Sequence, residues 1–122
     1  MVMDDEAAIG QLCKRVLNKE GYIVDIARNG IEGKKKIEQN EYDLIILDVR
    51  APLMDGEELY RYINKNYNEM CERVIFCTGA VLGGAIPTFL KESGRPFLPK
   101  PFTPDELRDL VRDFFKNGRE RE

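Results

Sequence analysis

The run Leu44-Ile45-Ile46-Leu47 is apolar on both faces and ends directly in Asp48. A strand that faces water on one side alternates apolar and polar residues. One that is apolar throughout must be covered on both sides, as a parallel strand between two helical layers is. The chain supplies such layers. Strands are predicted at Met1–Met3, Tyr22–Ala27, Asp43–Asp48, Arg73–Thr78 and Pro96–Lys100. Helical patterns fall between them at Glu6–Glu20, Ile31–Gln39, Glu57–Tyr67 and, briefly, Pro87–Glu92, with a last helix after Thr103. In the first helix Ala8, Ile9, Leu12, Cys13, Val16 and Leu17 make one apolar stripe. Thr103, Pro104 and Glu106 give the last helix a cap, a first-turn proline and a capping box. The alternation predicts an α/β fold of five β/α units with right-handed crossovers.

One domain is expected over residues 1–122. Its first strand is short enough for a truncated start to be expected, and residues 117–122 are expected to fray. Gly83, Gly84 and Pro87 favour a long loop with a short fourth helix, or a malleable face, over a regular helix. Lys34, Lys35 and Lys36 read as a solvated helix face, and Gly56 as a turn position.

Composition narrows the function. A net charge of -3 gives no basic footprint for nucleic acid or an anionic membrane. No apolar run approaches a bilayer span, and the opening MVMDDE is not a signal peptide. Three cysteines and no CxxC point to a reducing, cytoplasmic compartment, and Cys77 reads as a small buried hydrophobe. The chain has no histidine, which excludes His-dependent zinc sites and Ser-His or Cys-His nucleophiles.

In open α/β sheets, ligands sit beyond the carboxyl ends of the strands. Asp4 and Asp5 follow the first strand, Asp48 ends the third, Thr78 the fourth and Lys100 the fifth. Singly, each suits a turn, a cap or a solvated charge. Together they form an acidic edge with one ammonium. Three carboxylates about 5 Å apart repel by roughly 3 kcal/mol per pair at an effective dielectric near 20. A hard divalent cation with oxygen ligands, Mg²⁺, offsets that repulsion. Asp48 is then placed to attack a phosphorus held by metal, Lys100 and the Thr78 hydroxyl.

The runs VMDDE, LIILDVRAPLMDG, CTG and FLPKPF resemble the receiver domain of two-component response regulators over nearly the whole chain. The intervals agree: 43 residues from Asp5 to Asp48, 30 on to Thr78 and 22 on to Lys100. The resemblance implies a flavodoxin-like sheet in the order 2-1-3-4-5 with five flanking helices. It implies that Asp48 is the phospho-acceptor. Asp5, with Asp4 acting through water, and the backbone carbonyl of Arg50 would join Asp48 in holding Mg²⁺. Lys100 would pair with phosphoryl oxygens, Thr78 and Phe97 would switch, and Lys100-Pro101 would be cis. Phe97 also fits a plain core aromatic. Ala51 stands where the family often has Met, which should loosen packing near Asp48. The donor would be a sensor histidine kinase or phosphotransfer domain, in cis or in trans. The signal would leave through helix four, strand five and helix five, from a domain that is not a turnover enzyme. SGRPFLPKPF resembles receivers fused behind sensor kinases in hybrid proteins. A homodimer stays open.

Three rival readings fit the residues less well. A haloacid-dehalogenase-type hydrolase needs a second Asp where Arg50 stands. A flavodoxin-like nucleotide binder needs a Gly-, Ser- or Thr-rich loop where MDDEAAIG stands, and no GxGxxG occurs. A degenerate receiver, acting only as an interaction module, would not need the complete acid, Thr and Lys set.

Overall fold

Alternate residues of the central strands go to opposite helical layers. In a computed structural model of the chain, which describes residues 1–79 and 87–120, Ile45, Leu47, Val74 and Phe76 join one core cluster with Ile37, Leu59, Ile63 and Leu90. Ile46, Ile75 and Cys77 join the other, with Cys13, Leu17, Leu107 and Val111. The period of two divides an all-apolar strand between two cores, and this is why both of its faces are apolar.

The elements run β1 (Val2–Met3), α1 (Ala7–Lys19), β2 (Ile26–Ala27), α2 (Gly30–Gln39), β3 (Ile45–Asp48), α3 (Gly56–Asn66), β4 (Val74–Thr78), α4 (Thr88–Ser93), β5 (Phe97–Pro99) and α5 (Pro104–Glu120). The five strands form one sheet in the order β2-β1-β3-β4-β5, and every pairing is parallel. Doubly wound α/β topology is thereby established, with α2, α3 and α4 covering one face and α1 and α5 the other.

Several boundaries differ from the expectation. β2 keeps only the last two of six expected residues, and Ile23 within that stretch is fully exposed. Ala8 is exposed, so the apolar stripe of α1 begins at Ile9. A 3-10 segment, Asn68–Arg73, which no pattern announced, links α3 to β4 and buries Met70 and Cys71. α5 runs to Glu120, and residues 121 and 122 of the tail expected to fray lie outside the described residues. Gly83 and Gly84 lie outside the described residues, and Pro87 stands at the N-cap of the short α4. The capping box is present: Glu106 N donates to Thr103 Oγ1 and Thr103 N to Glu106 Oε1, both at 3.1 Å. Lys35 is exposed, whereas Lys34 lies over the Tyr62 ring at 4.7 Å.

Candidate functional site

Register brings the acidic edge together. β1 and β4 both flank β3, and Asp48 pairs in register with Cys77. The ladder continues past the strand ends: Asp4 N donates to Ala27 O at 3.0 Å, Val49 N to Cys77 O at 2.9 Å and Lys100 N to Thr78 O at 2.7 Å. The residues after β1, β3 and β5 are therefore held in place by backbone hydrogen bonds. Asp4, Asp48 and Thr78 are the buried polar residues among those described.

Two glycines allow the close approach. Gly56, expected as a turn, is the buried first residue of α3, and a Cβ there would overlap the Asp48 carbonyl. A Cβ on Gly30 would overlap the carbonyl of Met54, which accepts from Gly30 N at 2.8 Å. The loop between β3 and α3 turns tightly at Leu53, with φ at 69° and Met54 N donating to Pro52 O at 2.8 Å. Ala51, within it, is half-buried against the core.

Asp4, Asp5 and Asp48 each offer a carboxylate oxygen within 4.8 Å of the others. Lys100 Nζ lies 2.7 Å from Asp4 Oδ2 and 3.4 Å from Asp48 Oδ2. Asp48 Oδ1 accepts from the Arg50 amide at 3.2 Å, and Asp4 Oδ1 from the Glu6 amide at 2.9 Å. Burial, with the charge of Asp4, pushes the Asp48 carboxyl up to about 6, against the pull of Lys100 and the Arg50 amide. Burial draws Lys100 down, but its hydrogen bond to Asp4 and the charges of Asp48, Asp4 and Glu6 outweigh that and hold it above its ordinary value. Lys100-Pro101 is cis. Burial lifts the Cys13 thiol to about 12 and Cys77 higher still, so both pack as hydrophobes.

Asp4, Asp5, Asp48 and Lys100 are thus brought together, with Arg50 joined to them through its amide. Thr78 stands at the same sheet edge. Phe97 lies apart, half-buried and in register with Phe76. Sequence reasoning missed Glu6. Its Oε1 is 3.5 Å from Lys100 Nζ, which makes it a fourth carboxylate at the site. The third acid of the DDE run was the available signal. A groove of about 550 Å³, lined by Ile37, Asn40, Tyr67 and Met70, sits away from this edge, beside the carboxyl ends of α2 and α3. A phosphoryl site that works by charge and position needs no deep cavity.

The family model of the response regulator receiver domain matches residues 1–112. The chain belongs to that family. This receiver domain is 31% identical over 112 residues to the response regulator MprA of a Mycobacterium species, covering 92% of the chain and 48% of that protein. It is 28% identical to the transcription factor SKN7 of Saccharomyces cerevisiae, covering 96% of the chain and 18% of that protein. It therefore spans half or less of these relatives. Among solved structures, a CheY-like receiver domain protein from Methanospirillum hungatei superposes with a TM-score of 0.85 at 30% identity, covering 99% of this chain and 95% of that one. The receiver domain of a signal transduction histidine kinase from Syntrophus aciditrophicus gives 0.80 at 27% identity, covering 95% of this chain and 88% of that one. Receiver domains are signalling domains and not turnover enzymes. No helix among the described residues is long and apolar enough to cross a membrane.

Proposed function

We propose that this receiver domain accepts a phosphoryl group on Asp48 from a phosphohistidine of a sensor kinase or phosphotransfer domain. The observation that carries the reading is Lys100, set between Asp4 and Asp48 at the edge of a parallel sheet. One oxygen of Asp48 bonds to phosphorus as the P–N bond of the donor breaks. The bonding electron pair returns to the imidazole nitrogen, and the product is an acyl phosphate. Lacking histidine, the chain must take its phosphohistidine from another domain.

The donor set suits Mg²⁺: only hard oxygens, with three clustered carboxylates of which Asp4 and Asp48 face one ammonium. Asp5, Asp4 and Asp48 would hold it, with the Arg50 carbonyl. When bound, it supplies charge neutralisation for the incoming phosphoryl oxygens. Lys100 orients those oxygens, and the Thr78 hydroxyl binds one of them. Drawing Thr78 and Lys100 inward biases Phe97 and the surface of α4, β5 and α5 toward a second state. Buried, unpaired cysteines support a cytoplasmic setting. The SGRPFLPKPF run and the likeness to the Syntrophus receiver support a hybrid-kinase parent.

Intact-mass measurement with acetyl phosphate and Mg²⁺ tests the reading. Wild type should gain one phosphoryl group and Asp48→Asn none. Equal gain in both would refute it.

A further inference from the structure

The site carries one negative charge more than the phosphoryl chemistry asks for. Asp4, Asp5 and Asp48 cluster within 4.8 Å, and Glu6 reaches the same ammonium at 3.5 Å. Four carboxylates against Lys100 leave three net negative charges. A bound divalent cation would reduce that to one, where three carboxylates alone would have been neutralised. The surplus belongs to Glu6, and its placement is specific. Its backbone amide is fixed to Asp4 Oδ1, which holds Glu6 at the N-cap of α1, while its side chain stays 62% exposed at the mouth. The Glu6 side chain makes no cap hydrogen bond. Among the described residues its side chain meets the ammonium that the acceptor also needs.

We propose that Glu6 is a charge gate, a positioning and specificity residue rather than a catalytic one. It shares Lys100 in the resting state, and its surplus charge disfavours small, doubly charged phosphodonors that arrive without a protein surface. This rests on Asp48 being the phospho-acceptor. With acetyl phosphate, an Asp48 oxygen bonds to phosphorus, the P–O bond to the acetyl group breaks and acetate leaves with the electron pair. With phosphoramidate, the P–N bond breaks and ammonia leaves. The second donor carries less negative charge, so a gate that acts by charge must treat the two differently.

The test measures initial labelling rates by intact mass for wild type, Glu6→Gln and Glu6→Asp, with both donors, at saturating Mg²⁺. In low salt, Glu6→Gln should label about three- to tenfold faster than wild type with acetyl phosphate, and gain less with phosphoramidate. Raising salt to about 1 M should close the gap, since screening then acts within about 3 Å. Glu6→Asp, which keeps the charge, should follow wild type. Equal acceleration with both donors, or a gap that persists in high salt, means that Glu6 acts through local structure and overturns the gate. Identical rates for wild type and Glu6→Gln overturn it too. If neither protein is labelled by either donor, the phospho-acceptor reading itself fails, and the gate with it.

Discussion

Lys100 Nζ sits 0.7 Å nearer to Asp4 than to Asp48, at 2.7 Å against 3.4 Å. The ammonium is thus committed first to Asp4, proposed to help hold the metal, and only second to the proposed acceptor. Its side chain is 11% exposed, so water does little to replace it. In metal-free buffer, Lys100→Ala should cost about 2–4 kcal/mol by leaving buried carboxylates unpaired. Chemical denaturation reads this directly. The variant should bind Mg²⁺ at least as tightly as wild type by calorimetry. On phosphorylation it should show smaller amide shifts in α4. Shifts equal to wild type would remove Lys100 from the switching role.

Asp48 gives a pH signature. Its folded value, about 6, lies above its ordinary 3.8. Between those values the folded chain keeps a proton that the unfolded chain releases, so stability falls as pH rises through the window. Asn does not titrate. In chelator at pH near 7.5, Asp48→Asn should be more stable by on the order of 1–2 kcal/mol. The difference should shrink as pH drops through about 6 and vanish near 4. Thermal melts across that range check it. A difference that grows toward acid would give the shift the opposite sign.

Gly56 has no room for a methyl group, because the Asp48 carbonyl occupies that space. Backbone would have to move, and the backbone in question holds the acceptor. Gly56→Ala should destabilise by about 2–4 kcal/mol and slow labelling of the folded fraction. Denaturant melts and labelling rates measured together separate the two effects.

Leu53 is 79% exposed and holds φ at 69°, a conformation that costs a side chain with a Cβ about 1 kcal/mol or more. Leu53→Gly relieves that strain and forfeits little burial. Stability should rise by about 0.5–1 kcal/mol, with Mg²⁺ binding unchanged. A loss of stability would mean that the Leu53 side chain is held by contacts that outweigh the backbone cost.

The sheet was legible because its signal is local. Leu44–Leu47 can be satisfied only between two layers, and Asp4, Asp48, Thr78 and Lys100 each follow such a run. Element ends were less legible. Tyr22–Val24 carry a strand's composition, yet only Ile26 and Ala27 pair with β1, because β1 itself offers two residues of ladder. The 3-10 segment has no period that sequence could reveal, and it exists to bury Met70 and Cys71 under α3. Gly56 and Glu6 were misjudged or missed for one shared reason. Their roles are set by neighbours 8 residues away in Asp48 and 94 away in Lys100, which only the folded register brings close.

The central claim is that one carboxylate, Asp48, carries the phosphoryl group. Borohydride reduction after labelling with acetyl phosphate and Mg²⁺ tests it most directly, since an aspartyl phosphate is reduced to homoserine while free carboxylates are spared. Peptide sequencing by mass spectrometry should find homoserine at position 48 and unmodified Asp4 and Asp5. Homoserine at position 4 or 5, or a labelled protein with aspartate intact at 48, would contradict the account.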